Sequence, residues 1–382
     1  MTPFPVFSMA QPINITGPFV YFAKGAADVE AAVGQHSNGA TRREMIAALA
    51  AAGAASLFPA ALSQALAAAA QTRRAIDFHH HFNPPFLVNA AAGNRVGANA
   101  DRLNWDLNFS LENMDKVGIQ TSIITPPTGF AERTDPSGRV AMVRRTNEYG
   151  AQVVRDHRGR YLQLVYMPLP DVDAALKEIE YGFGSLNVVG VGFATSYGGK
   201  YVSDPSFTPI WEELNRRSAI AYFHPLAPAC CSSLFPDLPE EASAVEIPYD
   251  TGRAVMSLLL RGVFAKYRNI KWVFSHSGGA VPMFAGRWKN LLAQDDLSKV
   301  APNGVDAEFT RLYYETANAS SPPTMAALLK FAPLSQVLFG SDHPYVTDEV
   351  NMNDLLRSNL PAREMNAILY ENAQRLVPQL KA

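Results

Sequence analysis

Five of the eight histidines stand at or beside the ends of strand-like runs. His79 and His81 occur in Asp77-Phe78-His79-His80-His81, and His224 in Tyr222-Phe223-His224-Pro225. His276 lies in Phe274-Ser275-His276-Ser277-Gly278-Gly279, and His343 follows Asp342 in Gly340-Ser341-Asp342-His343-Pro344. Imidazoles with one carboxylate form a donor set that suits zinc, with manganese or iron as alternatives. Side chains alternate along a strand, so Asp77, His79 and His81 are expected on one face and His80 on the other. If that face is an interior, His79 and His81 hold one ion together. A single His-x-His is a weak sign, because a buried histidine is more often a hydrogen-bonded core residue than a ligand. Four separate strand ends that agree on one site are far less easily accidental.

Eight β-rich runs position these residues: Ala75–His79, Thr121–Thr125, Tyr161–Met167, Val188–Ala194, Ile220–His224, Lys271–His276, Leu312–Thr316 and Val337–Ser341. Helix-like segments lie between most of them, among them Val172–Tyr181, Pro209–Arg217 and Ala254–Tyr267. Strands alternating with helices imply a parallel sheet with crossover connections, and eight units close a (β/α)8 TIM barrel of the α/β class. In such a barrel the reactive groups sit at the C-terminal ends of the strands. An open doubly wound sheet is the rival, but the first strand is followed by His79-His80-His81 where that fold needs a glycine-rich phosphate turn. The terminal segment Ala362–Leu376 is expected as a further helix outside the barrel. The Pro-rich stretch Pro225–Pro248 is long enough for a loop over its mouth.

The chain has 382 residues, 48% of them hydrophobic and 18% charged, with a net charge of −2. That composition supports a substantial core and argues against a nucleic-acid or acidic-membrane partner. The two cysteines, Cys230 and Cys231, are adjacent, so no disulfide framework exists. Residues 1–40 lack periodicity and read as disordered or as an over-long start. Residues 41–70 open on Arg42-Arg43 and run through an Ala-rich stretch to Ala68-Ala69-Ala70, the pattern of a twin-arginine export signal. The alternative is an Ala-rich amphipathic helix packed on the barrel, in a protein that stays cytoplasmic. Gly53, Ser56 and Pro59 interrupt the stretch too much for a membrane span. Residues 71–382 are then the barrel, periplasmic or otherwise exported.

Taken together, the strand-end motifs resemble the amidohydrolase superfamily. They are most similar to its branch of aminocarboxymuconate-semialdehyde and γ-resorcylate decarboxylases. Further matching pieces are Thr251-Gly252-Arg253-Ala254, Ser277-Gly278-Gly279-Ala280-Val281-Pro282 with Arg287, and Tyr370-Glu371-Asn372-Ala373, in order from Ala75 to Leu376. The resemblance implies one divalent ion held by His79, His81, His224 and Asp342. It implies His276 as the acid/base residue, with Asp342 able to share that role. It also implies Arg287 as a grip on a small-molecule carboxylate substrate, in some members across a homodimer interface. A surface ion pair is the bland alternative for Arg287. No lysine stands at the end of strand four, in Val191-Gly192-Phe193-Ala194, where two-metal members carry one, so a single ion is expected. His80 and His343 are expected to point aside, and Glu315 either orients a ligand or faces solvent. The implied reaction is non-oxidative decarboxylation of an aromatic or muconate-like acid. The alternative is hydrolysis of a lactone, ester or amide at the same site.

Overall fold

The computed structural model describes residues 73–87, 105–227, 242–292, 297 and 299–381. The expectations for residues 1–40 and 41–70 lie outside these residues, as do Cys230, Cys231 and most of the Pro-rich loop. Among the described residues no helix is long and apolar enough to cross a membrane.

Eight strands form one sheet in chain order: β1 (Ala75–His81), β2 (Ile119–Thr125), β3 (Tyr161–Tyr166), β4 (Gly190–Ala194), β5 (Ile220–His224), β6 (Lys271–Phe274), β7 (Tyr313–Glu315) and β8 (Val337–Leu338). Every ladder between neighbours is parallel. The sheet closes on itself where the chain after β8 meets β1. Phe78 N donates to Phe339 O at 2.9 Å, Asp342 N to His79 O at 2.9 Å and His81 N to His343 O at 2.7 Å. The helices are α1 (Leu107–Val117), α2 (Arg139–Asp156), α3 (Val172–Tyr181), α4 (Thr208–Arg217), α5 (Ile247–Leu260), α6 (Val281–Leu292), α7 (Pro322–Phe331) and α8 (Asp348–Arg357), with shorter turns between. This is the expected TIM barrel.

Strand β5 shows how the sequence makes two layers. Ile220 and Tyr222 join the interior cluster with Phe78, Leu164 and Val273, while Ala221 and Phe223 join the layer beneath the helices. In that outer layer Phe223 stacks between Phe193 and Phe274, with centroids at 5.2 and 4.9 Å. Burying each such ring contributes roughly 1.5–3 kcal/mol. The same alternation turns His224, two residues after Tyr222, inward at the strand's end.

Three expectations need correction. The terminal helical segment packs outside the barrel only in its first part, where Ile368 and Leu369 join the layer beneath the helices. Ala373, Leu376 and Val377 belong to the interior cluster with Ile76, Val189, Ile220 and Leu338, near the strand beginnings. Their i, i+3, i+4 spacing makes one apolar stripe, and it plugs the end opposite the histidines. Strands β6 and β8 stop earlier than expected, at Phe274 and Leu338. His276, Ser277 and Asp342 take left-handed backbone, with φ of 55°, 56° and 63°, which no ladder accommodates. The helix expected over Ala254–Tyr267 begins earlier, at Ile247, and breaks at Gly262, where φ is +67°.

Candidate metal centre

Side-chain geometry at the top of the barrel follows from how each imidazole is held. His79 Nδ1 lies 2.7 Å from Glu315 Oε1, His81 Nδ1 3.3 Å from Pro126 O and His224 Nδ1 2.9 Å from Pro225 O. A carbonyl oxygen only accepts, so Nδ1 carries the proton in His81 and His224, and the Glu315 carboxylate selects the same tautomer in His79. The lone pair of all three is therefore on Nε2. These nitrogens converge: the Nε2 atoms of His79 and His81 are 2.9 Å apart, and Asp342 Oδ1 is 3.3 and 3.5 Å from them. With His224, the four ligand atoms lie within 4.8 Å of one another. Ligands about 2.0–2.1 Å from one tetrahedral ion sit ~3.3 Å apart, so the spacing suits a single cation.

The electrostatics point the same way. Asp342 Oδ1 is buried and receives no hydrogen bond. Burial would raise the Asp342 carboxyl, but the neighbouring histidines hold it well below the usual range. Burial opposes charge on His79 as well, yet the flanking Glu315 and Asp342 carboxylates lift it to about 10, so without an ion its Nε2 holds a proton that a metal would have to displace. Burial keeps His81 and, more strongly, His224 below their ordinary values, in the neutral form that a ligand needs. A site between two carboxylates thus favours positive charge, whether a proton on His79 or a metal cation.

His276 stands beside this cluster, its ring 5.1 Å from those of His79 and His224. Its Nδ1 donates to Ala317 O at 2.8 Å, which leaves the ring's lone pair on Nε2. Glu315 joins the pieces. It is fully buried and accepts from His79 Nδ1, from Tyr222 OH at 3.2 Å, and from the backbone N–H of His276 at 3.1 Å and Ala317 at 2.6 Å. Of its two expected roles the structure selects ligand orientation over solvent exposure. A β-carbon at Gly340 would collide with Glu315 Oε2 and meet His79 Cβ at 3.0 Å, so only glycine lets these strands approach.

The structure brings His79, His81, His224, Asp342 and His276 together. It does not bring in Arg287, which is exposed on α6 and makes no ion pair among the described residues. Asp77 does not share the face of His79 and His81, contrary to simple alternation. The β1–β2 register shifts between Asp77 and His80, and the Asp77 carboxylate accepts from Ser341 and His80 on the far side of the strand. His80 and His343 point aside as expected. Sequence reasoning missed Tyr222 and Tyr345, whose ring lies 5.1 Å from that of His81. Tyr222 was within reach, since it shares the inward parity of His224.

Comparison with known proteins agrees with this geometry. A family described as amidohydrolase matches residues 76–379. The 6-methylsalicylic acid decarboxylase of Penicillium expansum is 32% identical over 317 residues, 80% of this chain and 97% of that protein. The 2-amino-3-carboxymuconate-6-semialdehyde decarboxylase of Dictyostelium discoideum is 24% identical over 290 residues, covering 74% and 78%. Among solved structures, a dihydroxybenzoic acid decarboxylase from Polaromonas sp. JS666 with bound manganese superposes with a TM-score of 0.71 at 19% identity, covering 80% of this chain and 97% of that one. Barrel, inward histidines and matched length lead to one assignment: the chain belongs to the amidohydrolase family.

Proposed function

We propose that this protein is a metal-dependent carboxy-lyase that removes CO2 from a hydroxylated aromatic or muconate-like acid without a redox cofactor. The observation that carries this reading is the free Nε2 of His276 beside a three-histidine, one-aspartate cluster, in a chain that aligns with 97% of a 6-methylsalicylic acid decarboxylase. His79, His81, His224 and Asp342 would hold one divalent ion. The donor set favours zinc, with manganese the main alternative and iron also compatible. When bound, the ion supplies positive charge that orients and stabilises substrate oxygens.

His276 does the proton work. Protonated at Nε2, it delivers that proton to the ring carbon bearing the carboxylate. The carbon–carboxylate bond then breaks, its electron pair restores conjugation, and CO2 leaves. His276 ends as the Nδ1–H tautomer that Ala317 O already holds. Asp342 is the poorer donor, because its neighbours keep it ionised. In D2O the product should carry deuterium on carbon with release of one CO2. Product that carries ¹⁸O from labelled water, with no CO2, would reject the lyase and establish the hydrolase.

Two further parts of the proposal concern the whole protein. Arg287 grips the substrate carboxylate of a second copy across a homodimer interface. Met283, one turn earlier on the same helix face, is 72% exposed, which supports a contact there. Arg287→Met should weaken carboxylate substrates, because a charge-assisted contact is lost, and the native mass in solution should be that of a dimer. Residues 41–70 act as a twin-arginine export signal. N-terminal sequencing of native material should find a start near Gln71, and an intact N-terminus on cytoplasmic protein would reject export.

A further inference from the structure

A second buried cluster lies on the far side of β1 from the metal ligands. Asp77, His80, Ser341, His343 and Asp348 are all fully buried there. His80 separates His79 from His81, and His343 follows Asp342, so both belong to ligand-bearing segments. Ligand atoms of His80, His343 and Asp348 come within 4.8 Å of one another, so a second ion has to be considered. Geometry speaks against it. The two rings stack at 4.3 Å with planes 8° apart, so their in-plane lone pairs run side by side and do not converge. Neither nitrogen of His80 is free: Nδ1 pairs with Asp77 Oδ2 at 3.0 Å, and Nε2 with Ser110 Oγ at 2.8 Å.

The hub of this cluster is Asp77. Its Oδ1 accepts from the backbone N–H of His79 at 3.0 Å and of Ser341 at 2.9 Å. Its Oδ2 accepts from Ser341 Oγ at 2.6 Å, His80 Nδ1 at 3.0 Å and Ser122 Oγ at 3.4 Å. One carboxylate thus ties together segments 264 residues apart, where the barrel closes. Asn351 of α8 donates to the Ser341 carbonyl from the other side. The next residue, Asp342, is held at φ 63°, a conformation that persists only where its surroundings over-determine it.

We propose that Asp77 and Ser341 are positioning residues that lock the His79 segment to the Asp342 segment and thereby set the geometry of the metal centre. The inference rests on the metal-centre reading above. Asparagine at position 77 keeps the size of the side chain but puts an amide donor against Ser341 or His80, which already donate, and leaves buried donors unpaired. Loss of such an outer partner typically weakens metal binding 10–100-fold.

The test uses the full chain as wild type, Asp77→Asn and Ser341→Ala. Each is stripped of metal, then titrated with Zn²⁺ against a competing chelator. In parallel each is loaded with Co²⁺ for its visible absorption spectrum. The expected result is one ion in the wild type, binding weakened about 10–100-fold in Asp77→Asn and about tenfold in Ser341→Ala, with altered cobalt bands in both. Variants that merely unfold at lower temperature, with wild-type affinity and cobalt spectrum, would overturn the inference. If Asp77→Asn does not fold, Ser341→Ala decides alone, because it removes only one hydroxyl, and wild-type binding there is equally fatal. A wild-type chain that binds no ion would remove the metal reading itself.

Discussion

Two histidine–carboxylate clusters share the same pair of backbone segments and face opposite ways. In front, the rings of His79, His81 and His224 meet edge to face, at 74–82°. Each gives its Nδ1 to a protein acceptor and aims Nε2 at a common point. Behind, His80 and His343 stack flat, His80 spends both nitrogens on Asp77 and Ser110, and His343 Nδ1 faces Asp348 Oδ1 at 3.5 Å. Both places hold buried histidines beside buried carboxylates. Both nitrogens of His343 and both oxygens of Asp348 also lack a hydrogen-bond partner among the described residues, so what separates the two clusters is the angle between ring planes, which decides whether free lone pairs converge.

The comparison predicts unequal responses to substitution. His224→Ala or Asp342→Asn should lose the ion and cut turnover by ~10²–10³-fold, the scale for removing a centre of charge stabilisation, as read by elemental analysis and CO2 release. Metal-free protein with full activity would erase the distinction between front and rear. His276→Asn should keep the ion while kcat falls by about 100-fold or more, the usual scale for an acid/base group. Metal loss in that variant would move His276 into the ligand set. Glu315→Gln removes the carboxylate behind His79 and should weaken metal binding by about 10–100-fold, measured by chelator competition. Smallest at the metal, His80→Phe keeps the stack with His343 but drops two hydrogen bonds. We expect a loss of about 1–3 kcal/mol in unfolding free energy, with metal affinity changed less than in Glu315→Gln. If His80→Phe strips the ion as His224→Ala does, the rear cluster is part of the metal centre after all.

Legibility of the sequence varied with the locality of the physics. Helix α3 was found at its observed bounds, Val172–Tyr181, because Val172, Leu176 and Ile179 fall on one face, which packs on the core; Asp171, accepting from Ala174 N at 3.0 Å, caps its start. Strand β5 was found at its bounds because Ile-Ala-Tyr-Phe-His alternates cleanly between barrel interior and helix layer. The ends of β6 and β8 were overrun, since propensity carries no sign that His276 and Asp342 turn left-handed. Asp77 was placed on the wrong face because a one-residue irregularity in register reverses the alternation that the inference relied on.

By itself the sequence determined which chemistry was available: five strand-end histidines and one aspartate in barrel order, with the ligand set named through a family likeness. Those are properties of residue type and spacing. Tertiary structure decided which nitrogen of each ring is free, because carbonyls at Pro126, Pro225 and Ala317 come from other turns of the chain or from its own bend. It decided that Glu315 looks inward, since β7 must pair between β6 and β8. It also decided that Asp77 grips a segment 264 residues away. Hydrogen-bond direction and barrel closure depend on atoms far apart along the chain, and no local pattern encodes them.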